Sequence, residues 1–220
     1  MPKITHLIYD FDGLLLDTEP IYCRVNEMIA ERYGKTFTRA MHRMIMGRQA
    51  MDCAQILVRE LDLPLTAEEH LAARNELIFD MLPEAKPMPG ALALTKGFYA
   101  KGVPQAIATS SAEVTFNLKT QKHQGWLAIF NTIVLGSDPA VKNSKPAPDS
   151  FLVAADRLGA DPAECLVLED SPAGVKAGKA AGMFVVAVPA AHMMRSLYAE
   201  ADVILDKLAD FDASYWQLPE

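Results

Sequence analysis

Asp10 and Asp12 stand two residues apart in Asp10-Phe11-Asp12-Gly13, directly after the apolar run His6-Leu7-Ile8-Tyr9. In an extended segment their side chains share a face, and a turn beginning at Gly13 lets them diverge around one bound group. One carboxylate can then attack as a nucleophile, as in enzymes that form an aspartyl phosphate, while the other gives a proton to the leaving oxygen and takes one from water. Solvated turn acids would read the same way in isolation.

Three further segments carry groups suited to the same chemistry. Thr109-Ser110-Ser111 follows an apolar run, and Ser110 with Glu113 has the spacing of a capping box. The N–H groups of such a helix start, with the Thr109 or Ser110 hydroxyl, can hold a phosphate, although plain capping explains these residues equally well. Lys145 lies in Lys-Pro-Ala-Pro-Asp, where Pro146 restrains the residue before it. A cation so placed can neutralise the oxygens of a transferring phosphoryl group. Glu169-Asp170-Ser171-Pro172 sets two acids between an apolar run and a helix with Ser at its N-cap and Pro at its first position. With Asp10 they make the hard-oxygen site that Mg²⁺ prefers, and a favourable interaction with the helix dipole is the structural alternative. Each segment has a bland reading, but four coincidences at four predicted strand ends point to one site.

The elements that must position these groups alternate along the chain. After Pro87-Met88-Pro89-Gly90, helices are predicted over 91–100, 113–121, 148–158 and 172–181, with strands over 104–108, 132–135, 165–168, 183–188 and 203–205. Alternation with near-continuous apolar strands predicts a parallel sheet covered by helices on both faces. Between Asp17 and about Glu84 the period changes to that of helices. Ile21, Val25, Met28 and Ile29 mark one face, Ile56, Leu57 and Leu61 another, and Thr66 with Glu69 opens a further helix. The expected organisation is therefore an α/β core of residues 1–16 and 87–220 with an α-helical cap, residues 17–86, inserted after the first strand. Ligands bind outside the carboxyl ends of strands in such sheets, so the insertion leaves at the edge of the expected site and can cover it.

Composition narrows the partners. The 220 residues are 50% hydrophobic and 22% charged, enough for one substantial core and a smaller one. A net charge of −7 without a cluster of Lys and Arg argues against nucleic acid or an anionic membrane surface. The apolar run before Asp10 is too short for a signal peptide, and the longest apolar stretch, Met183 to Ala191, is too short to span a bilayer, so a cytoplasmic, monomeric protein is expected. Cys23, Cys53 and Cys165 are widely spaced, which predicts buried free thiols rather than a disulfide framework or a zinc site. No G-x-S-x-G, G-x-x-x-x-G-K-[ST] or H-E-x-x-H occurs, and the five His show no metal-ligand spacing.

The combination resembles the haloacid dehalogenase superfamily, whose four motifs are matched by Asp10-Phe11-Asp12-Gly13, Thr109, Lys145 and Glu169-Asp170. The resemblance implies a Rossmann-like, doubly wound core with nucleophile Asp10, acid/base Asp12, and phosphate ligands Thr109 and Lys145. It also implies Mg²⁺ held by Asp10, the Asp12 carbonyl and Asp170, with Glu169 a direct or water-mediated ligand. The dehalogenases that name the group lack the second acid, so Asp12 indicates the phosphatase branch. Thr5 to Asp10, Asp12 to Glu19, Val134-Leu135-Gly136 and Lys145 to Asp149 are similar to the pseudouridine-5′-monophosphatase group. Related β-phosphoglucomutases carry a cap-hinge His where this chain has Tyr22, which speaks against a mutase. The expected function is Mg²⁺-dependent hydrolysis of a small phosphorylated metabolite, nucleotide-like or a sugar phosphate. The alternatives are a sugar-phosphate mutase or an idle ligand-binding module. Arg48 and Gln49, after Gly47, join Tyr22 as candidate specificity residues.

Overall fold

The computed structural model describes residues 3–45 and 50–219. In chain order the elements are β1 (His6–Tyr9), β2 (Leu16–Asp17), α1 (Glu19–Arg32), α2 (Arg39–Ile45), α3 (Ala50–Glu60), α4 (Ala67–Met81) and β3 (Lys86–Pro87). Then follow α5 (Ala91–Ala100), β4 (Gln105–Ala108), α6 (Glu113–Thr120), α7 (Gln124–Leu127), β5 (Thr132–Val134) and α8 (Asp149–Leu158). The chain continues through β6 (Cys165–Glu169), α9 (Pro172–Ala180), β7 (Phe184–Ala187) and β8 (Val203–Ile204).

Six parallel strands form one sheet in the order β5-β4-β1-β6-β7-β8. The first strand is central and the order runs outward from it in both directions, which is the doubly wound, Rossmann-like arrangement. Strands buried on both faces need apolar residues at every position, and β4, β6 and β7 supply them almost without interruption. On one face Ile8, Ala106, Val167 and Val185 pack with Phe151 of α8 and Val175 of α9. On the other, Tyr9 meets Phe130 at 6.0 Å between ring centroids, and Phe11 meets Phe116 at 5.1 Å. Gln105, the one polar residue in β4, is satisfied there: it accepts from the Tyr9 hydroxyl at 2.9 Å and donates to the Thr95 carbonyl at 3.0 Å.

The chain divides into two compact units, 1–17 with 86–220, and 18–85. The boundary falls at these residues because the two connections pair with each other: β2 and β3 form an antiparallel ribbon, Leu16 opposite Pro87 and Asp17 opposite Lys86. Pro87 to Gly90 reads in sequence as a break, and the ribbon leaves no mark there, since two residues are too few to show a period. The second unit is helical. Ile21, Val25 and Ile29 of α1, Leu57 of α3 and Ile78 of α4 are buried, and α4 packs against α1 and α3. The Thr66 capping box forms, with the Glu69 amide donating to Thr66 Oγ1 at 3.1 Å and the Thr66 amide donating to Glu69 Oε2 at 2.8 Å. Of the three free thiols only Cys165 is buried; Cys23 and Cys53 are half-buried, against the expectation. No helix among the described residues is long and apolar enough to cross a membrane.

Two glycines test how tightly the helices seat. A Cβ on Gly97 in α5 meets nothing within 4 Å, whereas one on Gly178 in α9 lies 2.7 Å from Val185 Cγ2 on β7. Gly97→Ala should therefore raise stability by about 0.5–1 kcal/mol, because alanine loses less backbone entropy in a helix. Gly178→Ala should lower it despite the same propensity gain. Urea denaturation midpoints of the two variants should move in opposite directions.

Candidate active site

The parallel register places the chemistry at one edge of the sheet. Tyr9 pairs with Ile107 of β4 and with Leu168 of β6, so Asp10 follows at the level of Ala108 and Glu169. The Asp10 amide donates to the Leu168 carbonyl at 3.0 Å, which continues the ladder by one residue and holds its side chain at the carboxyl end of β1. Lys145 arrives from the segment after β5. Its ammonium donates to Asp10 Oδ1 at 2.6 Å, Glu169 Oε1 at 2.7 Å and the Ala108 carbonyl at 3.1 Å, so all three of its protons are used.

The start of α9 fixes Glu169. Ser171 is the N-cap of α9: its hydroxyl accepts from the Gly174 amide at 3.0 Å and donates to Glu169 Oε2 at 3.0 Å, and its amide donates to the same oxygen at 2.7 Å. Only glycine fits at position 174, since a Cβ there would come within 1.6 Å of Glu169 Oε1. Asp170 is positioned from two sides. Gly13, at φ +86, lets the β1 turn pass where a Cβ would lie 2.2 Å from Asp170 Oδ2. The buried Tyr198 hydroxyl donates to the Asp170 carbonyl at 2.7 Å.

Asp12 faces the β4–α6 segment. Its Oδ2 accepts from Ser111 Oγ at 2.8 Å and Thr109 Oγ1 at 3.2 Å, and the Lys119 ammonium donates to both of its oxygens. Thr109, Lys145, Glu169 and Asp170 thus gather around Asp10 and Asp12, but Ser110 does not join them. It is exposed, and the Ser110–Glu113 capping box is absent: α6 begins at Glu113 with Ala112 as N-cap, and Ser137 Oγ takes the Glu113 amide at 3.0 Å. The hydroxyl at the cluster is that of Ser111, whose amide also donates to Thr109 Oγ1 at 3.1 Å. A Cβ on Gly136 would stand 2.3 Å from the Ser110 carbonyl, so the loop after β5 presses this backbone into place.

Lys119 was missed by sequence reading. Its signal was a lysine on the apolar phase of α6, where Phe116, Lys119 and Thr120 are all buried. Tyr22 lies in α1, with the Arg74 guanidinium 5.0 Å from its ring centroid. Arg48 and Gln49 lie outside the described residues.

The electrostatics follow from crowding. Asp10, Glu169 and Asp170 each offer a carboxylate oxygen, all within 4.8 Å of one another, against the single ammonium of Lys145. Burial pushes the Asp10 carboxyl well above its ordinary range; Lys145 opposes this, while Glu169 and Asp12 add to it. Asp170 is raised for the same reasons, burial first and then Glu169 and Asp10. Burial alone would lower Lys145, but Asp10 and Glu169 outweigh it and hold the ammonium charged. Burial would likewise raise Asp12, and Lys119 with the two hydroxyls outweighs it, leaving the carboxyl below its usual value. A surplus of hard oxygen donors in a small space fits Mg²⁺.

This surplus has a measurable consequence. Acids whose folded pKa is raised bind more protons folded than unfolded, so stability falls as pH climbs from the ordinary carboxylate range through the raised values. A divalent cation competes with those protons and offsets the loss. Between about pH 5 and about pH 8 the melting temperature in chelator should fall, and Mg²⁺ should raise it more at the higher pH. An equal Mg²⁺ shift at both values would contradict a carboxylate site.

Residues 7–188 match the haloacid dehalogenase-like hydrolase family. The mitochondrial (DL)-glycerol-3-phosphatase 1 of Arabidopsis thaliana is 42% identical over 222 residues, spanning 99% of this chain and 74% of that protein. A Drosophila melanogaster protein assigned as a pseudouridine-5′-phosphatase is 42% identical over 220 residues, 99% of this chain and 95% of the other. Among solved structures, a Thermotoga maritima protein assigned as a β-phosphoglucomutase superposes with a TM-score of 0.76 at 30% identity, covering 92% of this chain and 94% of that one. A match along most of the sequence, relatives named as phosphatases, and a shared fold agree: this chain belongs to the haloacid dehalogenase-like hydrolase family and is a phosphomonoester hydrolase.

Proposed function

We propose that this hydrolase cleaves phosphate esters of primary alcohols on small hydroxylated metabolites, through a covalent phosphoryl intermediate on Asp10 and with Mg²⁺ as cofactor. The observation that carries the mechanism is the Lys145 ammonium shared between Asp10 at 2.6 Å and Glu169 at 2.7 Å. That arrangement favours the anionic form of a carboxyl that burial raises, and sets a positive charge where phosphoryl oxygens would come to rest.

Asp10 Oδ attacks phosphorus as the ester oxygen leaves opposite to it. Lys145 and the Thr109 hydroxyl neutralise and orient the non-bridging oxygens, while Asp12 gives a proton to the departing alkoxide. In the second half-reaction Asp12 removes a proton from water, which attacks the aspartyl phosphate and restores Asp10. Asp10, the Asp12 carbonyl and Asp170 would hold Mg²⁺, which supplies further neutralisation of the phosphoryl charge. Glu169, already held by Lys145 and Ser171, would support that site by orienting its neighbours. The Ser111 hydroxyl, which donates to Asp12 Oδ2, holds that acid in place.

The substrate class rests on the relatives. Glycerol 3-phosphate and pseudouridine 5′-phosphate, named for proteins equally similar to this chain, both carry phosphate on a primary carbon of a molecule that also bears free hydroxyl groups. Both leave as poorly stabilised alkoxides, which is the case that requires an acid such as Asp12. Selection between them is assigned to Tyr22, Arg48 and Gln49. The enzyme acts as a cytosolic monomer in this reading.

Asp10→Asn should retain less than about a tenth of wild-type turnover with unchanged circular dichroism, because an amide is a poor nucleophile. Rapid acid quench with radiolabelled substrate should trap label on the wild-type protein and none on the variant. Turnover without trapped label, at any quench time, would remove the covalent step.

The likeness to a protein assigned as a β-phosphoglucomutase supports a second reading, transfer between sugar oxygens. Tyr22 weighs against it, since a phenol with an ordinary pKa near 10 is a poor proton carrier at neutral pH. With glycerol 3-phosphate or pseudouridine 5′-phosphate, phosphorus NMR should show inorganic phosphate rising in step with substrate loss. Glucose 6-phosphate accumulating from β-glucose 1-phosphate faster than inorganic phosphate would favour the mutase.

A further inference from the structure

Lys119 does not belong to the four motifs, yet its side chain is 0% exposed while that of Asp12 is 25% exposed. A lysine so deeply buried is rare and requires a charged partner. Here the partner is Asp12, with Ser111 Oγ at 2.6 Å as the third contact. The side chain climbs from the last turn of α6 toward the helix start, as helical side chains do, and its ammonium lies 5.7 Å from the Phe11 ring centroid. Phe11 in turn packs on Phe116 at 5.1 Å and Trp126 at 6.5 Å, an apolar wall that keeps water from the inner side of the pair.

The order of the groups decides the role. Asp12 presents its partly exposed side outward, and Lys119 stands behind it without exposure of its own, so Lys119 has no path to a substrate. A lysine serving stability alone would be poorly suited to this place, because a buried ion pair is often no better than well-packed apolar residues. We infer that Lys119 is a positioning residue for Asp12, fixing from behind the carboxylate that exchanges a proton with the leaving oxygen. Ser111 is shared between the two, which ties the hydroxyl segment after β4 to the same support. The inference rests on the reading of Asp12 as acid/base.

The test is a comparison of Lys119→Met, Asp12→Asn and the double variant, as Mg²⁺-loaded enzymes, on an aryl phosphate and on glycerol 3-phosphate. A nitrophenolate departs without a proton, whereas the glycerol alkoxide needs one, so loss of a well-placed acid falls on kcat/KM, which reports the half-reaction in which the alcohol leaves, for the second substrate. Lys119→Met should lower kcat/KM on glycerol 3-phosphate by about tenfold or more and lower kcat/KM on the aryl ester several-fold less, because only the first ester calls on the acid as its alcohol departs. In the Asp12→Asn background the same change should cost nothing further, because its effect passes through the missing carboxylate. An equal loss on both substrates, or losses that multiply in the double variant, would overturn the positioning role while leaving Asp12 in place. If Asp12→Asn itself falls equally on both esters, the acid/base reading fails and the inference with it. Should Lys119→Met not fold, the double variant, which removes both charges together, is compared with Asp12→Asn alone. Equal rates support the inference and a further loss refutes it.

Discussion

Asp10, Glu169 and Asp170 bring three carboxylate oxygens within 4.8 Å of one another at the edge of a buried sheet, and the rest of the site is arranged around that repulsion. At such a distance two like charges repel by about 3 kcal/mol with an effective dielectric near 20, a large share of the net stability of a domain. The Lys145 ammonium, shared by Asp10 and Glu169 and anchored on the Ala108 carbonyl, is the main internal relief. Ser171 draws off part of the Glu169 charge with two further hydrogen bonds. What remains unneutralised suits a hard divalent cation, so the crowding that strains the protein is what the proposed Mg²⁺ would relieve.

Backbone geometry makes the crowding possible. The carboxyl ends of β1, β4 and β6 meet where the strand order runs outward in both directions, which is the place where a doubly wound sheet leaves a crevice. Glycine appears where side chain and backbone press closest: Gly13 against Asp170, Gly174 against Glu169, and Gly136 against the Ser110 carbonyl. These three residues are thus part of the site without contributing a functional group. The β2–β3 ribbon has a comparable role, tying together the two crossings to the helical unit within the unit that bears Asp10.

The two buried lysines divide the electrostatic work. Lys145 serves two carboxylates, Asp10 and Glu169, whereas Lys119 serves one, Asp12, and lies behind it. Asp10 and Asp12 are two residues apart in the chain but are shifted in opposite directions, Asp10 upward and Asp12 downward. Two acids in one loop are thereby made unlike by the cations and hydroxyls each one meets.

The alternation of helices and strands and the Asp10, Asp12, Lys145 and Glu169-Asp170 cluster were legible in the sequence. Apolar periodicity and turn chemistry are local properties, and the Asp10, Thr109 and Glu169-Asp170 motifs lie at the ends of strands. The Thr66 capping box was legible for the same reason, since its partners lie three residues apart. Tertiary structure alone decided which hydroxyl turns inward: the path of the chain from β4 into α6, held by Ser137 and pressed by Gly136, brings in Ser111 and leaves Ser110 exposed. It also decided that Lys119 reaches Asp12 across 107 residues of sequence, and that two-residue strands around Leu16 and Pro87 pair. Spacing along the chain carries no record of such contacts, because they depend on which face of α6 meets the end of β1 after the sheet has formed.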